Sequence, residues 1–292
     1  LERIVFYPTE KAEIEELNFR AGQVHLTFDL PSTKIPVYRR QAPAQLRSDP
    51  LLRVEYINFN TTKPPLDNPK VRRALALAID RTALSQRIYN GANQPAHGVV
   101  PPDCGGYAQP PGQRMDLAGA RALLVEAGFP NGEGLPVLPF QVRNDATMPK
   151  AAEAIQAMWQ RELGVRISIE SYEQKTWLQN QQTLAHTIAI LGWTADFPDP
   201  YTFLDLFRKG GGNNWTGWSS EEFDRLLEQA ALTADPAARF AQLQKAETLL
   251  LGEAPVAPLI FGARTYLIHP AVKNWEPSPL GIHRYQFIRL IN

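Results

Sequence analysis

The chain has 292 residues, 44% of them apolar, and its 30 Lys and Arg are matched by 30 Asp and Glu, so its formal charge at pH 7 is zero. That balance excludes the basic excess of a nucleic-acid surface and the charge block of an acidic tail. The single cysteine, Cys104, excludes an intrachain disulfide and any multi-cysteine metal site. No apolar run approaches the roughly 18 residues of a membrane helix. Proline, at 25 residues, stands well above its usual share of about 5% and predicts many short, pinned connections.

In chain order, residues 1–7 are neither an initiator Met nor an export signal, and residues 4–7 read as a strand already in progress, the mark of a piece of something longer. Residues 10–20 carry a helical pattern of Ala12, Ile14, Leu17 and Phe19 among charges, stopped by Gly22, and residues 24–28 read as a second strand. Residues 52–59 alternate as a third strand, Leu52, Val54 and Tyr56 against Arg53, Glu55 and Ile57. A polar, Pro-rich crossover at 60–69 leads into a helix capped by Asn68, with Pro69 first and Val71, Ala74, Leu75, Ala78 and Ile79 on its apolar face.

Residues 94–112, rich in Pro and Gly, predict an irregular surface loop around Cys104. Asp116 caps a helix reaching Gly128. Then come a strand at 137–143, a helix from Pro149 with Ala152, Ile155 and Trp159 inward, a strand at 165–169 after the Gly164 stop, and an apolar, central strand at 187–193. This alternation predicts an α/β layer architecture. Beyond Pro200 the chain turns helical: Ser219-Ser220-Glu221-Glu222 reads as a capping box, and Asp235-Pro236 opens a helix ending at Gly252. Residues 256–268 and 285–291 read as closing strands.

Local motifs for hydrolysis, nucleotide binding or metal chemistry are missing, and His25, His97, His186, His269 and His283 form no pair at helix or strand spacing. The segment 192–200, Gly-Trp-Thr-Ala-Asp-Phe-Pro-Asp-Pro, is different. It follows a central strand, where open α/β sheets place ligands, and joins aromatic rings to two carboxylates. Asp196 there suits a ligand ammonium, although the residue types by themselves favour the plainer reading, Asp196 or Asp199 as a helix cap and Trp193 in a core. Arg143, at a strand end, offers a fork for a carboxylate or is a solvated strand-end residue. The polar and aromatic run 213–218 suits a binding rim or a plain loop, and Cys104 reads as an incidental thiol with no nearby base.

The run from Asn58 to Arg81, Asn-Phe-Asn-Thr-Thr-Lys-Pro-Pro-Leu-Asp-Asn-Pro-Lys-Val-Arg-Arg-Ala-Leu-Ala-Leu-Ala-Ile-Asp-Arg, resembles the signature of the family 5 extracellular solute-binding proteins, the peptide receptors of ABC importers. Three later stretches agree in order: 192–200 with Gly-Trp-x-x-Asp-x-x-Asp-Pro, 218–227 with Tyr-Ser-x-x-x-Phe-Asp-x-Leu-Leu, and 235–258 with an Asp-x-x-x-Arg helix ending before x-x-Pro-Leu. Residues 21–25 resemble the family's Ala-Gly-Glu-x-Asp turn, with Gln23 and His25 replacing its acids.

The resemblance implies a type II periplasmic-binding-protein-like α/β fold, with one complete lobe and part of the other. Residues 1–57 would be a partial first lobe, 58–261 the second, ligand-binding lobe and 262–292 the return strands, with hinges near 56–60 and 262–267. It implies Asp196 on a ligand ammonium, Trp193 and Thr194 in the cleft wall and Arg143 on a ligand carboxylate. It further implies a monomeric, non-enzymatic receptor, periplasmic or membrane-anchored outside the cell, needing no cofactor or metal. Its partners would be a peptide and the ABC permease subunits of the inner membrane, and not nucleic acid. The same fold serves receptors for nickel complexes, haem, oligosaccharides and opines. An acid/base hydrolase using Asp196 and Asp199 is the alternative from another class.

Overall fold

A computed structural model of the chain describes residues 1–9 and 11–291. The expected opening strand at 4–7 does not form: Phe6 and Tyr7 are largely exposed, and residues 1–9 make no strand pairing among the described residues. Glu10, the expected helix start, lies outside the described residues. Helix α1 (Ala12–Arg20) follows, and Gly22, with φ +72°, turns the chain away from it. The expected strand at 24–28 reduces to one bridge, Leu26 to Ile268. A short helix that the sequence did not reveal, α2 (Ile35–Gln41), begins with Pro36 in its first turn, where a missing N–H costs nothing.

Strand β1 (Leu46–Phe59) starts earlier than its apolar alternation, because the polar residues Arg47, Ser48 and Asp49 also pair. The main body then runs α3 (Pro69–Leu77), α4 (Arg81–Arg87), β2 (Gln94–Pro95), α5 (Leu117–Glu126), β3 (Leu138–Arg143), α6 (Met148–Leu163), β4 (Ile167–Tyr172), α7 (Gln174–Gln182) and β5 (Ile188–Thr194). It closes with α8 (Tyr201–Leu204), α9 (Glu221–Leu232), α10 (Pro236–Glu253) and β6 (Val256–Leu267). The expected strand at 285–291 is instead a 3-10 turn, Tyr285–Phe287, and a two-residue strand β8 (Arg289–Leu290) paired with β7 (Val272–Lys273).

Six strands form one sheet in the order β2-β6-β1-β5-β3-β4. β3 pairs parallel with β4 and β5, while β1 runs antiparallel to both β5 and β6. The central place expected of the apolar strand near 187–193 is therefore correct. Strand alternation sends Ile57, Phe59, Phe140, Ile188 and Ile190 into one core, covered by α3 to α6 and including Trp159. Val54, Tyr56 and Leu191 face a second core with Phe203, Phe223 and Leu243 under α7 to α10. A small third core joins Phe19, Leu30, Ile35, Tyr38 and Leu267.

The capping residues act as their chemistry predicts. Asn68, Asp116 and Asp235 accept from the N–H groups of Lys70, Gly119 and Ala238 at 2.8–2.9 Å, each cap worth about 1 kcal/mol. Ser220, not Ser219, caps α9, accepting from Phe223 N–H. Gly164 ends α6 with φ +70°, and a Cβ there would stand 2.0 Å from the Asn131 carbonyl oxygen.

The Asn58 to Arg81 run proves to be a buried knot. Asn58 Nδ2 donates to the Trp215 carbonyl (2.9 Å), and Asn60 Nδ2 to those of Leu184 and His186. Arg72 and Arg81 are buried with carbonyls as partners: Arg72 reaches Leu66, Asp67, Glu253 and Ala254, and Arg81 reaches Ala76, Ile79 and Pro258. Burial pulls Arg81 down to about 9 and Arg72 to about 10, because a guanidinium away from water loses its solvation. These residues join the crossover, α3 and α4 to the end of α10 and the start of β6.

Candidate functional site

Since β3, β4 and β5 are parallel, their C-terminal ends share one edge of the sheet. Antiparallel β1 enters the main sheet at that edge, with Arg53 opposite Thr194 and Val54 opposite Trp193. Beyond it only β1 and β6 continue, as a two-stranded ribbon from Pro50–Ala263 to Leu46–Leu267, and the register shifts between Pro50 and Val54. Trp193 and Thr194 are the last residues of β5, Asp196 sits in the turn beyond them, and Arg143 is the last residue of β3. All four candidates thus lie at one edge, with no hydrogen bond between any two of them among the described residues.

The turn at 195–200 is rigidly held. Ala195 N–H donates to the Leu52 carbonyl (2.8 Å) and Asp196 N–H to Thr202 Oγ1 (3.3 Å). Asp199 takes both arms of Arg239, at 2.7 and 2.8 Å, and the Tyr201 N–H at 2.8 Å. Burial alone would raise Asp199, but Arg239 and the Tyr201 N–H outweigh it and hold the carboxyl below its ordinary value. Asp199 is therefore a braced anion and an unsuitable general acid. Asp196 differs: its carboxylate is exposed and has no hydrogen-bond or ion-pair partner among the described residues.

The 94–112 segment supports this turn and is not the surface loop expected. Val99, Val100, Cys104 and Tyr107 are buried in the second core. Glu247 on α10, fully buried, accepts from Val99 N–H (2.8 Å), Val100 N–H (3.1 Å) and Tyr107 O–H (2.9 Å). Burial raises the Glu247 carboxyl, and these three bonds oppose the rise. At the segment's tip Gly105, with φ +60°, lies so close to the turn that a Cβ would meet the Pro198 oxygen at 2.7 Å. Burial, then the charges of Asp199 and Glu247, push the Cys104 thiol up to about 12, so it stays protonated and unreactive.

Arg143 is already engaged. Nε and Nη2 donate to Asp145 Oδ2 at 3.0 and 2.8 Å, and Nη1 to Gln174 Oε1 at 3.1 Å. Asp145 in turn accepts from Thr147 and Met148 N–H at the start of α6. The 213–218 run lies at the opposite edge, where Trp215 and Thr216 carbonyls receive Asn58 and Thr61, so it is part of the knot and not a rim beside Asp196.

A polar chain on β1 has no signal in the sequence. Arg53 Nη1 donates to Thr194 Oγ1 (3.1 Å) and Nη2 to Glu55 Oε1 (3.2 Å), while Tyr89 O–H donates to Glu55 Oε2 (2.8 Å). Alternation places Arg53 and Glu55 on one face; pairing with Thr194 is a tertiary fact. Two concave regions, of about 590 and 770 Å³, lie elsewhere, lined by residues 16–45 with His269 and by residues 1–28 with 264–290.

Residues 1–215 match the model of the bacterial extracellular solute-binding proteins, family 5 Middle. The chain belongs to that family. It is 33% identical over 261 residues to the oligopeptide-binding protein OppA of Bacillus subtilis, an alignment covering 85% of this chain and 48% of that protein. It is 31% identical over 262 residues to the probable deoxycholate-binding periplasmic protein YgiS of Escherichia coli, covering 87% and 48%. The solved structure of the Escherichia coli murein tripeptide binding protein MppA superposes with a TM-score of 0.85 at 26% identity, over 95% of this chain and 56% of that one. The chain spans about half the length of the curated relatives it matches. The family 5 fold is thus the α/β architecture described above, and no helix among the described residues is long and apolar enough to cross a membrane.

Proposed function

We propose that this chain forms the cargo-holding part of an extracytoplasmic receptor that binds peptides and delivers them to an ABC permease. The observation that carries this reading is Asp196: an exposed carboxylate without a partner, on a turn fixed by Arg239, Thr202 and the 94–112 segment. Such a group is preorganised for an ammonium, and the charge-assisted bond is worth about 1.5–3 kcal/mol where water is excluded. Trp193 and Thr194 form the adjoining wall. Arg143, whose three nitrogens already donate to Asp145 and Gln174, keeps two N–H groups and adds positive charge to the same edge.

The peptide-related names of OppA and MppA support this cargo. The braced Asp199 counts against an acid/base pair, so the protein acts as a receptor and not as an enzyme. It works as a monomer in the periplasm or anchored outside the membrane. Residues 53–59 pair with β5, so the second lobe is taken to start near residue 53, upstream of the 57/58 boundary inferred from sequence, and to end at 261, with the residues before it and 262–292 part of the first. The register shift on β1 between Pro50 and Val54, beside Gly262, is the proposed hinge, slightly upstream of the 56–60 stretch inferred from sequence.

The test is calorimetry on the full-length protein with trialanine and N-acetyl-trialanine. Asp196→Asn is expected to weaken trialanine by about 10- to 100-fold, with no effect on the acetylated peptide. Equal affinity of wild type and Asp196→Asn for trialanine removes the assignment. YgiS, named for a steroid acid without an ammonium, motivates the second reading, another small solute, which deoxycholate binding without trialanine binding would select.

A further inference from the structure

Glycine inside a strand costs backbone entropy and packs nothing, so it marks a place where something lies close against the sheet. Gly192 on β5 and Gly262 on β6 stand on either side of β1, and neither has the positive φ that would itself call for glycine. Both open onto Arg53. A Cβ on Gly262 would meet Cβ and Cδ of Arg53 at 2.9 Å, and one on Gly192 would meet Nη2 at 2.6 Å. The glycines form a trough in which this arginine lies flat, its stem beside β6 and its guanidinium over β5.

The guanidinium is fixed but not used up. Of its five N–H groups, one is donated to Thr194 Oγ1 and one to Glu55 Oε1, while Nε–H has no partner among the described residues. The side chain keeps 30% of its surface in solvent. Glu55 is held back by its second bond, to the Tyr89 phenol. Arg143 at the same edge has all three nitrogens engaged. Thr194, which Arg53 touches, is two residues from Asp196.

We propose that Arg53 is a specificity-determining residue of this edge, a preorganised guanidinium that takes a carboxylate of the cargo beside the ammonium site at Asp196. The inference rests on the reading of the Asp196 edge as the cargo site and adds the chemical class of a second group held there. A guanidinium matches a carboxylate in plane and charge, and one immobilised by the sheet loses little freedom on binding.

The test uses the full-length protein and two matched pairs that differ in one anionic group: trialanine against trialanine amide, and cellobiouronic acid against cellobiose. Calorimetry reads the acid-to-neutral affinity ratio. Wild type is expected to prefer the acid, and Arg53→Gln to lower that ratio about 10- to 100-fold. Arg53→Lys should recover part of it, keeping charge without the fork. Gly192→Ala should lower the ratio as well, since it evicts the guanidinium while leaving Arg53 in the chain. A merely structural role would weaken acid and neutral ligands alike and leave the ratio unmoved. An unchanged ratio in Arg53→Gln, or no binding of either acid, overturns the proposal. If only the sugar acid binds and depends on Arg53, the peptide reading fails and the carboxylate site stands; if trialanine binds with Asp196 dependence and an unchanged ratio, the reverse holds.

Discussion

Asp196 and Asp199 are three residues apart and chemically alike, yet the fold gives them opposite situations. Asp199 is claimed by Arg239, 40 residues away in sequence, and Asp196 is left open. No spacing rule links Arg239 to that turn, which is why the sequence leaves the roles of the two acids undecided. Arg239→Ala should strip the brace from the turn and strand a half-buried carboxylate. The expected cost is about 2 kcal/mol in urea unfolding, with a loss of trialanine affinity although Arg239 does not line the site. His186 shows another residue-scale effect. Burial first, with help from Lys63 and against the Asn180 carbonyl, pulls it down to about 4. A folded-state pKa below the unfolded value near 6.5 means that stability is complete above that value and is lost as pH falls toward 4. The full swing is on the order of 3 kcal/mol. Urea midpoints across pH 4–7 should show this slope, and His186→Gln should flatten it.

The helices and central strands were legible because their signals are local: a cap, an apolar period, a glycine stop. Asn68, Asp116 and Asp235 cap helices as the sequence predicts, and β5 takes the centre that its apolar run demands. The failures share a cause. Residues 4–7, 24–28 and 285–291 have strand composition, but a strand exists only with a neighbour, and among the described residues the neighbours there support one bridge and one two-residue pairing. The 94–112 segment has loop composition and a core location, because the residue that anchors it, Glu247, comes more than a hundred positions later. Glu247→Gln tests that anchor. The raised carboxyl contributes most below its unfolded value near 4.5 and loses its contribution as pH rises through the folded value. The Gln variant, which can accept from both N–H groups and donate to Tyr107, should therefore gain stability relative to wild type from pH 4 to pH 8. A variant that loses ground over that range contradicts the assignment.

Across the whole molecule, the sheet has two ends with different duties. At one, Asn58, Asn60, Arg72 and Arg81 bind carbonyls from distant segments; at the other, Arg53, Thr194 and Asp196 face outward. The stretch most diagnostic of the family is the first of these, so the most recognisable part of the sequence reports the scaffold. The residues proposed to contact cargo carry weaker signals, since their meaning depends on which strand ends the topology brings to one edge.

β1 threads both ends, and Arg53 and Asn58 lie on it five residues apart, a span of about 16 Å at strand rise. Substitutions that far apart, without shared partners, add their effects nearly independently. Positions 53, 194 and 196 can therefore be randomised together as a library, with Trp193 kept because it packs against the second core and the Asn58 end left intact. New cargo preferences become accessible by selection without first re-engineering the fold.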